Sequence, residues 1–461
     1  MKERVLQTLT DLRKYALRRG HTISIFFHEE DSRLMRFANS AISLNTNEHL
    51  VALEFSAYLG RKRASYSMVT DLSQVEEMKK AIDTVAEMAK YAQPLSYDPS
   101  VPEFTSTFID EDGFDTPLLE TTNVEKVKYF NTVTARLEDK DVRLSGIFSN
   151  GANTIAAINT ASENVLYFKT SDCQVTVVLA HAGLKWELTA EQSAQKKSEL
   201  DPHLLHKDLV FLLKHYQHDQ AIQLPLGKYD IVFAAAATAE IVRYMNWIGF
   251  DGGMMKRGVC FLSEDSVGKK VFSEKFSLVD DPTRLETFPF KRDLAGIERK
   301  PFPIFEKGIF QGFTWTQDDA DEFGAKPTGH NVTHKSLVIE GGDHRVKNIE
   351  DLVNQPRDND LLYFPYLHYF NLVNPSKGVI TGSSRFGALW LKKDGSVQVP
   401  YNVRITQSML DLYGDKVDWL SKLTIPYNVS QSFGARNPTA LIVPAFMRVN
   451  DLEISHSNSS Y

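Results

Sequence analysis

The hydrophobic pattern of this 461-residue chain changes near residue 223, and this change restricts the possible folds more than any other feature. Before it, amphipathic helical stretches alternate with strands that place an apolar residue at every second position. After it, short strand-like runs are separated by Gly and Pro, with one helix near Thr238 to Trp247. Because a single core stops growing at roughly 250–300 residues, the pattern predicts two domains, 1–222 and 223–461.

The N-terminal region opens with an amphipathic helix that ends near Gly20, and alternating strands follow around 23–27 and 51–57. This alternation predicts an antiparallel sheet. The region is therefore expected to be a sheet with helices packed on it.

Further helices of this region are marked by their first residues. Ser73 to Glu76 and Thr122 to Glu125 have the Ser/Thr-x-x-Glu spacing of a capping box, so each predicts the start of a helix. The second helix is expected to run to about Lys140. Between the two, the prolines of 94–103 indicate a connector. Asp201-Pro202 predicts another helix start, because proline is well suited to the first helical position.

Two glycine-containing dipeptides predict hairpins in the second half. Asp394-Gly395 separates the apolar runs 389–391 and 397–399, and Lys307-Gly308 stands in a similar position. Two-residue hairpin turns need positive φ, which glycine adopts readily. The fold class predicted for the whole chain is α+β, with an N-terminal antiparallel sheet and packed helices followed by a mainly antiparallel β domain.

Composition argues against several kinds of protein. The net charge of −7 comes from 52 basic and 59 acidic residues that are interspersed, whereas nucleic-acid binding depends on a basic patch. Apolar runs fall short of the ~20 residues of a membrane helix. The N-terminus has no signal-peptide pattern, and Cys173 and Cys260 have no disulfide, ligand or redox spacing. These features predict a cytoplasmic protein that does not bind a membrane, and they argue against binding to nucleic acid.

Several segments resemble, in order, motifs of the TldD/PmbA family, whose members were once described as modulators of DNA gyrase and are now understood as peptide-processing proteins. The ordered set is more specific than any one segment. The matching segments are Phe261 to Phe272, Asp280-Asp281-Pro282, Ile304 to Phe313, Gly324 to His330, Gly378 to Gly382, Arg385 to Ala388 and Asp394 to Pro400.

The resemblance also defines what is missing. In the TldD branch a helix carries His-Glu-x-x-x-His, with two zinc ligands and a general base, and a later cysteine is the third ligand. The corresponding positions here are Arg243, Tyr244 and Ile248, and the later segment 428–434 contains no cysteine. The family's Asp-x-Glu-Gly reads Arg292 to Gly296 here, without the glutamate. The pattern resembles the PmbA (TldE) branch, so we expect no catalytic residue and no metal ligand in this chain.

For function, the resemblance implies a subunit of a metallopeptidase assembly that encloses a chamber and processes or degrades unfolded peptides. Zinc would be supplied by a TldD-type partner, and this chain would contribute the chamber wall and hold no cofactor. The sequence leaves open the peptide, the partner and whether homodimers form.

Two alternatives remain at this stage. His330, His334 and His344 lie within fifteen residues and could bind metal in a self-sufficient homodimeric peptidase. If 332–339 is a strand, however, strand rise places the first two about 13 Å apart. The other alternative is a DNA-gyrase-associated regulator, which would bind duplex DNA in a salt-dependent way.

Overall fold

The N-terminal half is built on a large sheet. The computed structural model describes residues 2–218, 220–430 and 436–461. The strands of the first half are β1 (Thr22–Ala38), β2 (Ala41–Leu59), β3 (Lys62–Thr70), β4 (Phe108–Gly113), β5 (Val142–Asn159), β6 (Leu166–His181) and β7 (Glu187–Ala194). The helices of this half are α1 (Lys2–Arg18), α2 (Val75–Tyr91), α3 (Thr116–Leu119), α4 (Asn123–Val133) and α5 (Pro202–His218).

These seven strands form one sheet in the order β3-β2-β1-β5-β6-β4, with β7 also paired to β6. All pairs are antiparallel except β4 with β6. Apolar residues of α1 and α2 are buried in one core with residues of β1 and β2. The predicted N-terminal sheet with packed helices is confirmed.

The helix starts agree with the sequence in two of three cases. Thr122 and Glu125 form the predicted capping box, and α5 begins at Pro202. The capping box at Ser73 is wrong: Gln74 is the N-cap of α2, and the backbone N–H of Ser73 donates to Asp71 Oδ1. Helix α4 ends at Val133 and does not reach Lys140, because the backbone turns away and Arg136 takes a φ of 63°.

The second half contains many short strands. Its strands are β8 (Gly227–Ala234), β9 (Leu278–Asp280), β10 (Phe302–Glu306), β11 (Ile309–Phe310), β12 (Leu337–Ile339), β13 (Leu361–Phe364), β14 (Tyr366–Asn374), β15 (Val379–Arg385), β16 (Leu389–Leu391), β17 (Val397–Gln398), β18 (Val403–Ser408), β19 (Val417–Leu420), β20 (Thr424–Asn428), β21 (Ala440–Pro444) and β22 (Phe446–Ser457). Its helices are α6 (Ala235–Ile248), α7 (Gly252–Lys256), α8 (Gln317–Phe323), α9 (Ile349–Asn354) and α10 (Met409–Tyr413).

These strands form two mainly antiparallel sheets. One has the order β11-β10-β9-β12-β21-β20, and the other β14-β15-β18-β22-β8-β13-β16-β17, with β19 also paired to β22. Both predicted hairpins are present, as β10–β11 and β16–β17. At the first, Gly308 has a φ of 76°, and a Cβ there would lie 2.2 Å from the carbonyl oxygen of Phe272, so the position requires glycine. The α+β class is confirmed.

The hydrophobic core continues across the predicted domain boundary. Leu209 and Leu212 of α5 belong to the same buried cluster as Val232 of β8 and Leu389 of β16. The division at 222/223 stays a prediction. The connector 94–103 also contacts the second half, since the backbone N–H of Ser100 donates to Asp321 Oδ2 at 2.8 Å. None of the described helices has the length and apolar character needed to cross a membrane.

Candidate functional site

Helix α6 carries the three positions at which the zinc-peptidase motif would lie. It follows β8 directly, and its alanine-rich start favours a helix. Ile241, Val242 and Met245 form its buried face, and its last turn is closed by the N–H of Gly249, which donates to the carbonyl of Met245. The helix is thus fixed in the core of the second half.

Each of the three positions has a structural partner. Arg243 donates to Glu240 Oε1 one turn earlier, at 2.7 Å. Tyr244 packs on the ring of Phe370 and donates its hydroxyl to the carbonyl oxygen of that residue. Ile248 is completely buried in the core. Guanidinium, phenol and alkyl groups are not the imidazole, thiolate or carboxylate ligands of zinc, so these residues do not fit a zinc site.

A cavity of about 540 Å³ lies beside this helix. Its N-terminal wall is the first sheet, with Phe26 and His28 of β1 and Ile155 of β5. Arg243 and Asn246 of α6 face it from the second half. Segments 333–335, 429–430 and 437–441 contribute the remaining described wall residues together with Leu337. We call this space the Arg243 cavity.

The charged residues of the described wall are cationic. Arg243 and Lys335 line the cavity, and no Asp or Glu is among its described lining residues. Burial lowers the pKa of Lys335. Burial also lowers the pKa of His334 to about 4, and its Nε2 donates to the carbonyl oxygen of Phe288, so this imidazole is neutral at pH 7. The cavity is suited to an anionic group and not to a metal cation.

The three histidines of the alternative metal site are held apart by separate partners. His330 Nε2 lies 2.9 Å from Asp280 Oδ2 in a buried cluster, and His334 bonds to Phe288. His344 stacks on Trp419 with ring centroids 4.0 Å apart and contacts Gln355. Within the described residues, no three His, Cys, Asp or Glu side chains converge as metal ligands.

The strand that was assumed at 332–339 is shorter in the structure. Only Leu337–Ile339 pairs with neighbouring strands. Upstream, Asp293 lies in the segment 292–296, where the family's Asp-x-Glu-Gly motif lacks its glutamate. Its carboxylate accepts hydrogen bonds from the backbone N–H groups of Ala295, Ile297 and Asn331. It stabilises a turn.

Next to the cavity, the two halves are joined by a buried ionic cluster. Arg436 is fully buried and donates from Nε to Asp172 Oδ1 at 2.6 Å and from Nη1 to Ser149 Oγ at 3.1 Å. Its backbone N–H donates to Glu30 Oε2, and its carbonyl oxygen contacts His28. The guanidinium therefore anchors the segment at 436–437 to the middle of the first sheet.

A second cavity, of about 580 Å³, lies where β7 of the first sheet approaches β20. Glu191 lines it and accepts a hydrogen bond from the Tyr427 hydroxyl at 2.9 Å. Burial raises the pKa of Glu191 to about 7. A carboxyl group with this pKa is a typical marker of either a functional site or a proton-linked structural contact.

Comparison with known proteins agrees with this geometry. The class defined by the fold is that of α+β proteins with a large, mainly antiparallel N-terminal sheet and a largely β C-terminal region. A family model described as the PmbA/TldA metallopeptidase C-terminal domain matches residues 226–456. The chain belongs to the TldD/PmbA family, as its motifs indicated.

Solved structures show the same fold over nearly the whole chain. TldE from Thermococcus kodakarensis has a TM-score of 0.80 at 18% identity, with 97% of this chain and 100% of that chain covered. A protein from Thermotoga maritima, named for a proposed role as a modulator of a DNA gyrase, gives 0.73 at 15% identity, with 97% and 99% covered. A similarly named protein from Bacteroides thetaiotaomicron gives 0.75 at 14% identity, with 97% and 98% covered. No curated protein sequence matches the chain.

The sequence predicted a helix near Thr238 to Trp247, and the structure places Arg243, Tyr244 and Ile248 on one helix that runs from Ala235 to Ile248. Other residues around the cavities were missed. Lys335 and Asn246 carry no motif, and Glu191 looks like one polar residue among several in a strand. The only signal available was the proximity of Lys335 to the Thr-Gly-His segment. Contacts between distant segments had no signal in the pattern.

Proposed function

We propose that this chain is a metal-free, PmbA/TldE-like subunit that works with a zinc-bearing TldD-type partner in a cytoplasmic assembly that cleaves unfolded peptides. In this proposal the partner supplies the zinc and the catalytic groups. This chain contributes part of the chamber wall and holds no cofactor.

The observation that carries the proposal is which residues occupy the three zinc-motif positions of helix α6. Its three motif positions are occupied by a residue paired with Glu240, a residue bonded to Phe370 and a residue buried in the core. Converting them to ligands would remove these contacts and place a polar side chain at Ile248 in an apolar core, which costs several kcal/mol without a partner. Family membership and this helix together support a non-catalytic role.

The test is a comparison of the separate and combined subunits. This chain is co-expressed with a family member that bears His-Glu-x-x-x-His, and cleavage of an unfolded peptide is measured for each subunit alone and for both together. Zinc content is measured on the same preparations. We expect the two chains to co-purify and cleavage to require the pair. The control is a partner whose motif glutamate is changed to glutamine, which should abolish cleavage without disturbing the assembly.

Two results would replace the proposal. Peptide cleavage by this chain alone, with one zinc per chain, would favour a self-sufficient homodimeric peptidase. Tight binding to duplex DNA that weakens steeply with salt would favour a gyrase-associated regulator.

A further inference from the structure

One of the two cationic side chains that line the Arg243 cavity has no ion-pair partner among the described residues. The charge of Arg243 is already paired with Glu240. Lys335 is half-buried, and its ammonium makes no hydrogen bond or ion pair with any described residue; its nitrogen lies 6.0 Å from the centroid of the Phe250 ring. A charge withdrawn from water is unfavourable unless it is paired. The site therefore favours an anion that reaches Lys335 through the cavity.

A second polar group in the wall also lacks a partner. The side-chain oxygen of Asn246 is buried and accepts no hydrogen bond from the described residues. The side-chain nitrogen of the same amide is not buried in this way and makes no hydrogen bond with a described residue, so its N–H groups can donate into the cavity. A carboxylate accepts from both an ammonium and an amide, and could therefore contact both residues at once.

The apolar walls and the volume of the cavity restrict the chemistry of the rest of the ligand. Phe26, Ile155, Leu337 and Leu441 give the cavity apolar surface on both sides. Its volume of about 540 Å³ lies within the ~300–1,000 Å³ of typical small-ligand sites. A carboxylate attached to an apolar group fits this combination better than a free inorganic anion.

We propose that the Arg243 cavity binds the carboxylate of a peptide, with Lys335 as its ion-pair partner, Asn246 as a hydrogen-bond donor and the apolar walls around the adjacent side chain. That the carboxylate belongs to a peptide rests on the proposed function. A peptide has two sources of this group, its C-terminus and its acidic side chains. The position next to apolar walls favours the C-terminus of a peptide that ends in an apolar residue.

Binding to the isolated full-length chain tests this directly by calorimetry. The probes are Ala-Ala-Leu with a free carboxylate, the same peptide as its C-terminal amide, and Ala-Asp-Leu amide. We expect the free acid to bind and its amide to bind about 10- to 100-fold more weakly, the loss expected for a charge-assisted hydrogen bond. Tighter binding of the Asp-containing amide than of the free acid would assign the site to acidic side chains instead.

Variants of Lys335 test whether this residue causes the preference for the free carboxylate. Lys335→Met should remove the preference for the free acid, and Lys335→Gln should do so with less change in polarity. Lys393→Met is the matched control, because Lys393 is exposed and lies outside the cavity. Thermal unfolding of the Lys335 variants should occur at or above the wild-type temperature, since they lose no hydrogen bond or ion pair with a described residue and the ring of Phe250 lies 6.0 Å away.

Equal binding of acid and amide by the wild-type chain, no binding of any of the three peptides, or an unchanged preference in both Lys335 variants would overturn the inference. These outcomes are separate from the proposed function. Cleavage by the mixed subunits without carboxylate binding by this chain would sink only the inference, whereas carboxylate binding without cleavage by the mixture would sink only the proposed function.

Discussion

Arg436 connects the two halves through a buried ion pair and a backbone hydrogen bond. Its partners Asp172 and Glu30 are completely buried, and both come from the first sheet. A buried ion pair is weak evidence for stability as such, but removal of one partner leaves the other charge without compensation. The contribution of Arg436 to stability is therefore best measured as the change in the free energy of unfolding when its guanidinium is removed.

We expect Arg436→Met to lower the free energy of unfolding by about 3–5 kcal/mol, because Asp172 would remain buried without a cation. Urea unfolding measures this. Arg4→Met removes the exposed pair of Arg4 with Asp71 and should cause no measurable change. The account of the anchor is wrong if the two variants lose the same stability.

Glu191 predicts a pH dependence of stability. Burial raises its pKa in the folded chain from 4.5 to about 7, so the folded state holds this proton more tightly than the unfolded state. The stability from this group is complete below about pH 4.5 and is lost as the pH rises to about 7. Glu191→Gln should remove this loss and make the chain more stable at pH 8 by roughly 1–3 kcal/mol relative to wild type.

The measurement is urea unfolding of both proteins at about pH 5 and about pH 8, chosen to lie on either side of the shifted pKa. Glu163→Gln changes an exposed carboxylate and should keep the wild-type difference between the two pH values. If Glu191→Gln keeps this difference as well, Glu191 is not the group that titrates.

At the level of single elements, helix starts with the same sequence pattern differ in structure. Thr122 accepts the N–H of Glu125, whereas at α2 the N-cap is Gln74 and makes no side-chain capping bond. Thr122→Ala should lower the free energy of unfolding by roughly 1 kcal/mol, and Ser73→Ala should change it much less. Denaturation of the two variants side by side tests this, and a larger loss for Ser73→Ala would contradict it.

Sequence predicted those elements whose cause is local. The Lys307-Gly308 and Asp394-Gly395 hairpins follow from turn residues, and the first turn of α5 follows from Asp201-Pro202. Element ends were less predictable. Helix α4 ends at Val133, where Thr134 caps it, although the sequence predicted an end near Lys140. The strand at 337–339 is short because, among the described strands, it pairs only with β9 and β21, which are distant in sequence.

At the level of the whole molecule, the candidate site could not be predicted because its parts are far apart in the chain. Arg436 lies 264 positions from Asp172 and 406 from Glu30. The Arg243 cavity likewise combines β1, β5, α6 and three later segments. The order of the motifs did predict the family, because the matching segments follow one another along the chain in the same order as in the family. It gave no information on which side chains line a common space.

The central claim is that this chain contains no zinc centre of its own and acts with a relative that does. Its most direct test is the zinc content of the purified chain after expression in zinc-supplemented medium, measured by plasma emission spectroscopy beside the co-purified pair. The account predicts no stoichiometric zinc in this chain alone and one zinc per partner in the pair. One zinc per chain in the isolated protein, lost on substitution of a residue in this chain, would contradict it.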